Sequence, residues 1–147
     1  MTSLVLKVKR FDSDLPLPER KTAGAAAYDL CARKDTKIPG GGFGLVPLNV
    51  AIELPAGHWG LLAVRSSLHK QGLMPANGIG VIDHDYQGDD DEYHAALYNT
   101  SAAPVMVTRG MRVAQLVVVG SAPDITVTEV DSLENTSRGG FGSTGTH

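Results

Sequence analysis

The sequence predicts an all-β fold, a sandwich or barrel of short strands with one short helix and a flexible C-terminal arm. Three observations predict it. Apolar residues recur with a period of two in several separate stretches, the spacing that turns one face of a strand toward a core. Turn-forming residues punctuate those stretches at intervals of about 8–12 residues. No long segment repeats its apolar residues with a helical period, so a βαβ layout is not expected.

The elements follow in chain order. Leu6 and Val8 alternate with Lys7 and Lys9, and Leu48, Val50, Ile52 and Leu54 alternate with Asn49, Ala51 and Glu53. Turns are expected at Pro39-Gly40-Gly41-Gly42 and Pro55-Ala56-Gly57. Ser66–Gly72 offers a turn or two of helix, with serine at its start and glycine at its end. Asn77-Gly78 is a strong hairpin signal and predicts a β-hairpin there. Val105 and Val107 alternate with Met106 and Thr108. Ile125, Val127 and Glu129 alternate with Thr126, Thr128 and Val130 and predict a last strand. The chain divides into one β domain, residues 1–134, and an arm, residues 135–147, where glycine, serine and threonine predominate. Only Phe141 could anchor that arm, so it should be mobile without ligand.

Composition bounds the function. A chain of 147 residues with 42% hydrophobic and 20% charged residues is an ordinary globular domain. No run of 18 apolar residues exists, so no membrane partner is expected. The first residues show no basic stretch followed by an apolar one, so no secretory signal is expected either. The lone cysteine, Cys31, cannot form an internal disulfide, which suits a cytoplasmic or other reducing compartment. A formal net charge of −3 gives no reason to bind nucleic acid. The charge is uneven, +4 over residues 1–75 and −7 over residues 76–147. Asp83, Asp85 and Asp89–Glu92 concentrate the negative half, and Asp89–Glu92 reads as a solvated acidic loop. The five histidines are scattered and no cysteine pair exists, so no metal cage is predicted. Nucleophile-elbow, Walker and dinucleotide fingerprints are absent.

Five short segments carry more. They are Ala26-Ala27-Tyr28-Asp29-Leu30, Arg65-Ser66-Ser67-Leu68, Asn77 through Gly88, Gly110 through Leu116, and Arg138-Gly139-Gly140-Phe141-Gly142-Ser143-Thr144-Gly145. Each alone is weak, but in this order and together they resemble the motifs of the trimeric deoxyuridine triphosphatase (dUTPase) family. The resemblance implies a jelly-roll-like barrel or sandwich, a homotrimer with three shared sites, and hydrolysis of dUTP to dUMP and pyrophosphate. Such a reaction limits uracil incorporation into DNA and supplies dUMP.

The resemblance also implies roles. Asp83 matches the carboxylate that positions and deprotonates the attacking water; in an apolar Val-Ile-Asp run it would otherwise carry a desolvation cost. Arg65, Ser66 and Ser67 match the segment that holds the β- and γ-phosphates, using a guanidinium fork, a hydroxyl and N–H groups at a helix start. Asn77 and Gly80 belong to the segment that holds uracil, and Tyr86 matches the ring that leaves no room for a 2′-hydroxyl. Gln115 matches a glutamine beside the α-phosphate. Phe141 would stack over the base while Arg138, Gly142, Ser143 and Thr144 close on the γ-phosphate. Mg²⁺ is the implied cofactor, with Asp29 supporting it through water, and Arg112 is expected to pair with Asp29.

Four departures from the motifs stand out. Ala27 and Ser67 replace glycines, three extra residues lie between Gly88 and Asn99, and Arg138 precedes Phe141 by three residues rather than five. A related alternative is a dCTP deaminase, which needs a glutamate three residues before Asn99. That position is Ala96. The other alternative is a catalytically silent nucleotide-binding protein on the same fold, against which Asp83 argues.

Overall fold

The computed structural model describes residues 3–145. Eleven strands lie among them. In order they are β1 (Lys7–Arg10), β2 (Tyr28–Cys31), β3 (Thr36–Ile38), β4 (Phe43–Pro47), β5 (Val50–Glu53) and β6 (His58–Val64), then β7 (Leu73–Pro75), β8 (Gly80–Ile82), β9 (His94–Asn99), β10 (Val105–Val107) and β11 (Arg112–Gly120). The one helix is a 3-10 turn, Leu68–Gln71, ended by Gly72 in the left-handed conformation at φ 76°. Glycine suits that place because it has no Cβ to clash there. The turn is held down by Leu68, which is buried.

The strands pair in four antiparallel ladders: β1-β5, β10-β3, β2-β11-β6-β8 and β4-β9-β7. The all-β jelly-roll-like expectation holds, but the ladders form no single closed barrel. One apolar cluster joins the two larger sheets, with Leu30, Leu62 and Leu116 from the first and Val46, Leu73 and Leu97 from the second. Each such side chain contributes roughly 1.5–3 kcal/mol on burial.

Four expectations need correction. The period-two segment at residues 48–54 forms β5, yet Asn49 and Ala51, expected toward solvent, are buried with their neighbours. Asn49 adopts φ 71°. Its side chain turns onto Asp12, accepting from the Asp12 N–H and donating to the Asp12 carbonyl. The Asn77-Gly78 turn does not close a hairpin of mutually paired strands. It links β7, which pairs with β9, to β8, which pairs with β6, so the turn passes between two sheets. The strand expected at residues 125–130 is not formed: among the described residues no strand lies beyond Gly120. Its alternation needs a sheet neighbour, and this chain supplies none, leaving Val127 95% exposed. Finally, the acidic loop is not solvated throughout. Glu92 is 7% exposed, gripped by both Nε and Nη2 of Arg33 at 2.8 Å.

Candidate active site

The sheet β2-β11-β6-β8 carries four of the five motif segments. Gln115 of β11 stands opposite Asp29 on one side and Ala63 of β6 on the other. A bulge between Arg112 and Ala114 shifts the register of β11 against β2, the kind of irregularity that re-aims a side chain. Arg112 Nη1 donates to Asp29 Oδ2 at 2.9 Å, and Arg65 Nε lies 3.8 Å from Asp29 Oδ1. The expected pairing of Arg112 with Asp29 is therefore present. With its side chain 13% exposed and two guanidinium groups beside it, Asp29 is a partner for cations already in place.

Around these residues opens a cleft of about 320 Å³, lined by Asp29, Arg65, Ser66 and Gln115 together with Lys21 and Thr22. Gln115 donates from Nε2 to the Val64 carbonyl at 3.2 Å, which fixes its amide at the end of β6. Ser66 and Ser67 are exposed, and among the described residues their N–H groups donate to nothing. The helix expected to present them is only the four-residue 3-10 turn, so it brings little dipole. What the cleft offers an anion is the guanidinium of Arg65, free N–H groups and hydroxyls. Lys21 and Thr22 were not anticipated, because no spacing links them to the motif that follows. Lys21 also pairs with Glu19, a contact that chiefly holds the Glu19 carboxyl below its usual range.

Asn77 and Gly80 meet elsewhere. They line a cavity of about 20 Å³ walled by β6, β7, β8, β9 and β11, with Val64, His94 and Ala96. That is room for one water molecule. Gly78 turns the chain at φ 73°, and a Cβ on Gly80 would come within 3.0 Å of the Leu62 side chain, so Gly80 is also required by packing against β6.

Asp83 lines neither space. It leaves β8 into solvent and is exposed, so the desolvation cost expected of it is absent. Tyr86 follows on the same loop, 40% exposed, with its N–H donating to the Asp83 carbonyl. Burial, then the charges of Asp91 and Glu92, push its phenol above the ordinary range, so it acts as a hydrogen-bond donor. The ladder fixes how far these groups lie from the cleft. Ile82 pairs with Gly60, which puts Asp83 level with Trp59, six residues before Arg65. At 3.2–3.4 Å per residue, Asp83 and Arg65 are roughly 20 Å apart along β6.

The fifth segment touches none of this. Arg138, Phe141, Gly142, Ser143 and Thr144 are exposed, and Phe141 is fully so. The segment folds only on itself, in turns closed by Ser143 N–H to Gly140 and Gly145 N–H to Gly142. Within one chain, then, Asp29, Arg65, Ser66 and Gln115 come together, Asn77 and Gly80 form a second group, and Asp83, Tyr86 and the arm stand apart. Residues 13–145 match the dUTPase family across that whole span.

The chain belongs to the dUTPase family. Among its relatives, the deoxyuridine 5'-triphosphate nucleotidohydrolase of Eremothecium gossypii is 43% identical over 143 residues, which covers 95% of this chain and 90% of that protein. The crystal structure of the dUTPase from Streptococcus mutans superposes with a TM-score of 0.73 at 32% identity, over 81% of this chain and 98% of that one. The dUTPase of Staphylococcus bacteriophage 80alpha, solved with dUPNHPP, gives a TM-score of 0.83 over 97% of this chain and 99% of its own; at 23% identity this is a likeness of fold. In dUTPase terms, the sheet β2-β11-β6-β8 is where this chain gathers its motif residues, with the arm excepted.

Proposed function

We propose that this chain hydrolyses dUTP to dUMP and pyrophosphate, as a homotrimer whose sites are shared between subunits. The observation that carries the reading is the cleft at Asp29, Arg65, Ser66 and Gln115, an anion-ready surface in a dUTPase-family chain. Arg65 and the N–H groups of Ser66 and Ser67 hold the β- and γ-phosphates, and the Gln115 amide lies beside the α-phosphate. Water attacks the α-phosphorus in line. Its oxygen bonds to phosphorus, the bridge to the β-phosphate breaks with the electron pair leaving on pyrophosphate, and the water's proton passes to Asp83. Such transfers depend on positioning and on neutralising oxygen charge, which is why donors dominate the cleft.

Distance supports sharing between chains. Asp83 stands roughly 20 Å from Arg65 along the strand direction, which favours its water acting on a nucleotide whose phosphates sit on another subunit's arginine. On this reading Asp83 and Tyr86 serve a cleft on another subunit. The segment leading to the arm supports the same reading, since Ile125, Val127 and Leu133 are exposed in their own chain. Phe141 would stack on the base there, with Arg138, Ser143 and Thr144 on the γ-phosphate.

Magnesium finds no resident cage. Among the described residues no three His, Cys, Asp or Glu side chains converge. Asp29 is occupied by guanidinium groups, so these residues do not fit a protein-held ion. An ion carried by the substrate phosphates, touching Asp29 only through water, is the form compatible with them. Deamination is disfavoured because Ala96, which lines the cavity beside Asn77 and Gly80, has no group to move a proton. The test is the product formed from dUTP and from dCTP: pyrophosphate from dUTP supports the reading, and ammonia from dCTP sinks it.

A further inference from the structure

Tyr86 sits on an exposed loop, and two tethers reach it from the body of the protein. Its ring stacks on the buried Tyr93, centroids 6.2 Å apart and planes at 30°. Its hydroxyl donates to the backbone carbonyl of Glu92 at 3.1 Å. Nδ1 of His94 lies 2.9 Å from the same carbonyl, and because a carbonyl only accepts, that nitrogen carries the proton.

Glu92 is in turn the best-fixed acid in the loop. Arg33 grips its carboxylate from Nε and Nη2 at 2.8 Å, and the Asn49 N–H adds a third donor at 3.0 Å. Arg33 is tied to the core by its own N–H to the Pro47 carbonyl at 2.8 Å. Asn49 is clamped to Asp12 through both ends of its amide. A continuous set of contacts thus runs from the core through Arg33 and Glu92 to the hydroxyl of Tyr86.

We propose that Arg33 and Glu92 are positioning residues for sugar selection: by fixing the Glu92 carbonyl they fix the Tyr86 ring, and with it the exclusion of a 2′-hydroxyl. The inference rests on the role given to Tyr86 above. Steric rejection of one hydroxyl works only against a wall that does not yield, and an unanchored ring on an exposed loop yields. The Arg33–Glu92 pair touches no substrate; it acts through the tyrosine.

The test compares Tyr86→Phe, Arg33→Gln, Arg33→Lys and the Tyr86→Phe/Arg33→Gln double variant. The readouts are kcat/KM on dUTP and UTP, thermal stability, and calorimetric binding of dUMP and UMP, which needs no turnover. Tyr86→Phe keeps the ring and removes the tether, so the preference for the deoxyribonucleotide should fall about tenfold. Arg33→Gln should cause a similar fall, and Arg33→Lys, which keeps the charge but not the fork, a smaller one. The double variant should lose no more than the larger single loss, because both changes cut one tether. Unchanged preference in Tyr86→Phe would overturn the proposal. So would an Arg33→Gln enzyme that loses stability and loses activity equally on both nucleotides. If Arg33→Gln does not fold, Tyr86→Phe and Arg33→Lys decide. A wild-type chain that leaves dUTP intact would sink the functional reading instead, and the dUMP and UMP binding ratios would still judge the tether.

Discussion

The cleft at Asp29 and the segment after Gly120 are built on opposite principles. In the cleft, each side chain is set by sheet register and by a partner: Gln115 opposite Asp29, Asp29 on Arg112, Gln115 on the Val64 carbonyl. In the segment after Gly120 every described residue is exposed and, beyond the Ser121 N–H to the Gly57 carbonyl, hydrogen bonds are local. The first region is finished by its own chain. The second carries an apolar alternation and a motif whose side chains are exposed in their own chain. On the proposed function, phosphate binding is preorganised, whereas base closure and water activation are added by assembly.

That contrast can be broken most severely at Asp83. Asp83→Asn should lower kcat by about 10²–10⁴-fold, the contribution of a general base, while dUMP binding is retained. Mixing it with a chain truncated before Arg138 should recover activity once subunits exchange, because some sites then combine an intact Asp83 with an intact arm. No recovery after verified exchange would mean that sites are completed within one chain. Arg138→Ala comes next. It should cost roughly 1.5–3 kcal/mol in kcat/KM, the range for a hydrogen bond to a charged group. Binding of a non-hydrolysable dUTP analogue should weaken far more than binding of dUMP, and equal losses would detach Arg138 from the γ-phosphate. Tyr86→Ala should reduce the dUTP-over-UTP ratio of kcat/KM by about tenfold or more with little change in melting temperature, and an unchanged ratio would place sugar selection elsewhere.

The smallest expected effect lies outside both regions, at the Asp12–Arg109 pair. Asp12 is held below the usual carboxylate range, first by its hydrogen bond from Arg109 and next by the Asp14 N–H. A carboxyl lowered in the folded state adds stability above its unfolded value, near 3.9, and loses it as pH falls through the lower folded value. Thermal melts of Asp12→Asn should therefore differ slightly from wild type at pH 6 and converge with it at the acid end. Divergence on acidification would contradict the sign.

Much of this was legible in the sequence, and the failures share a cause. Period two located β1, β5 and β10, and the motif segments located the cleft residues. An Asn-Gly pair reports a local turn but not which sheets its flanking strands join, so the hairpin was misread. The acidic run Asp89–Glu92 looks uniform in sequence, and only the fold shows that Arg33, 59 residues away, singles out Glu92. At residues 125–130 the period is genuine, but the surface it answers to is not encoded nearby. Lys21 and Thr22 reach the cleft through loop path, which no periodicity announces.

If sites are shared between subunits as proposed, the separation of Asp83 from Arg65 along β6 makes turnover a property of concentration. A monomer of this design would hold nucleotide phosphates and do nothing to them. Specific activity should then follow mass action, falling on dilution as trimers dissociate and returning on reconcentration, with substrate itself opposing dissociation by binding the assembled form more tightly. A cell using such an enzyme couples nucleotide hydrolysis to the abundance of the chain more steeply than in proportion.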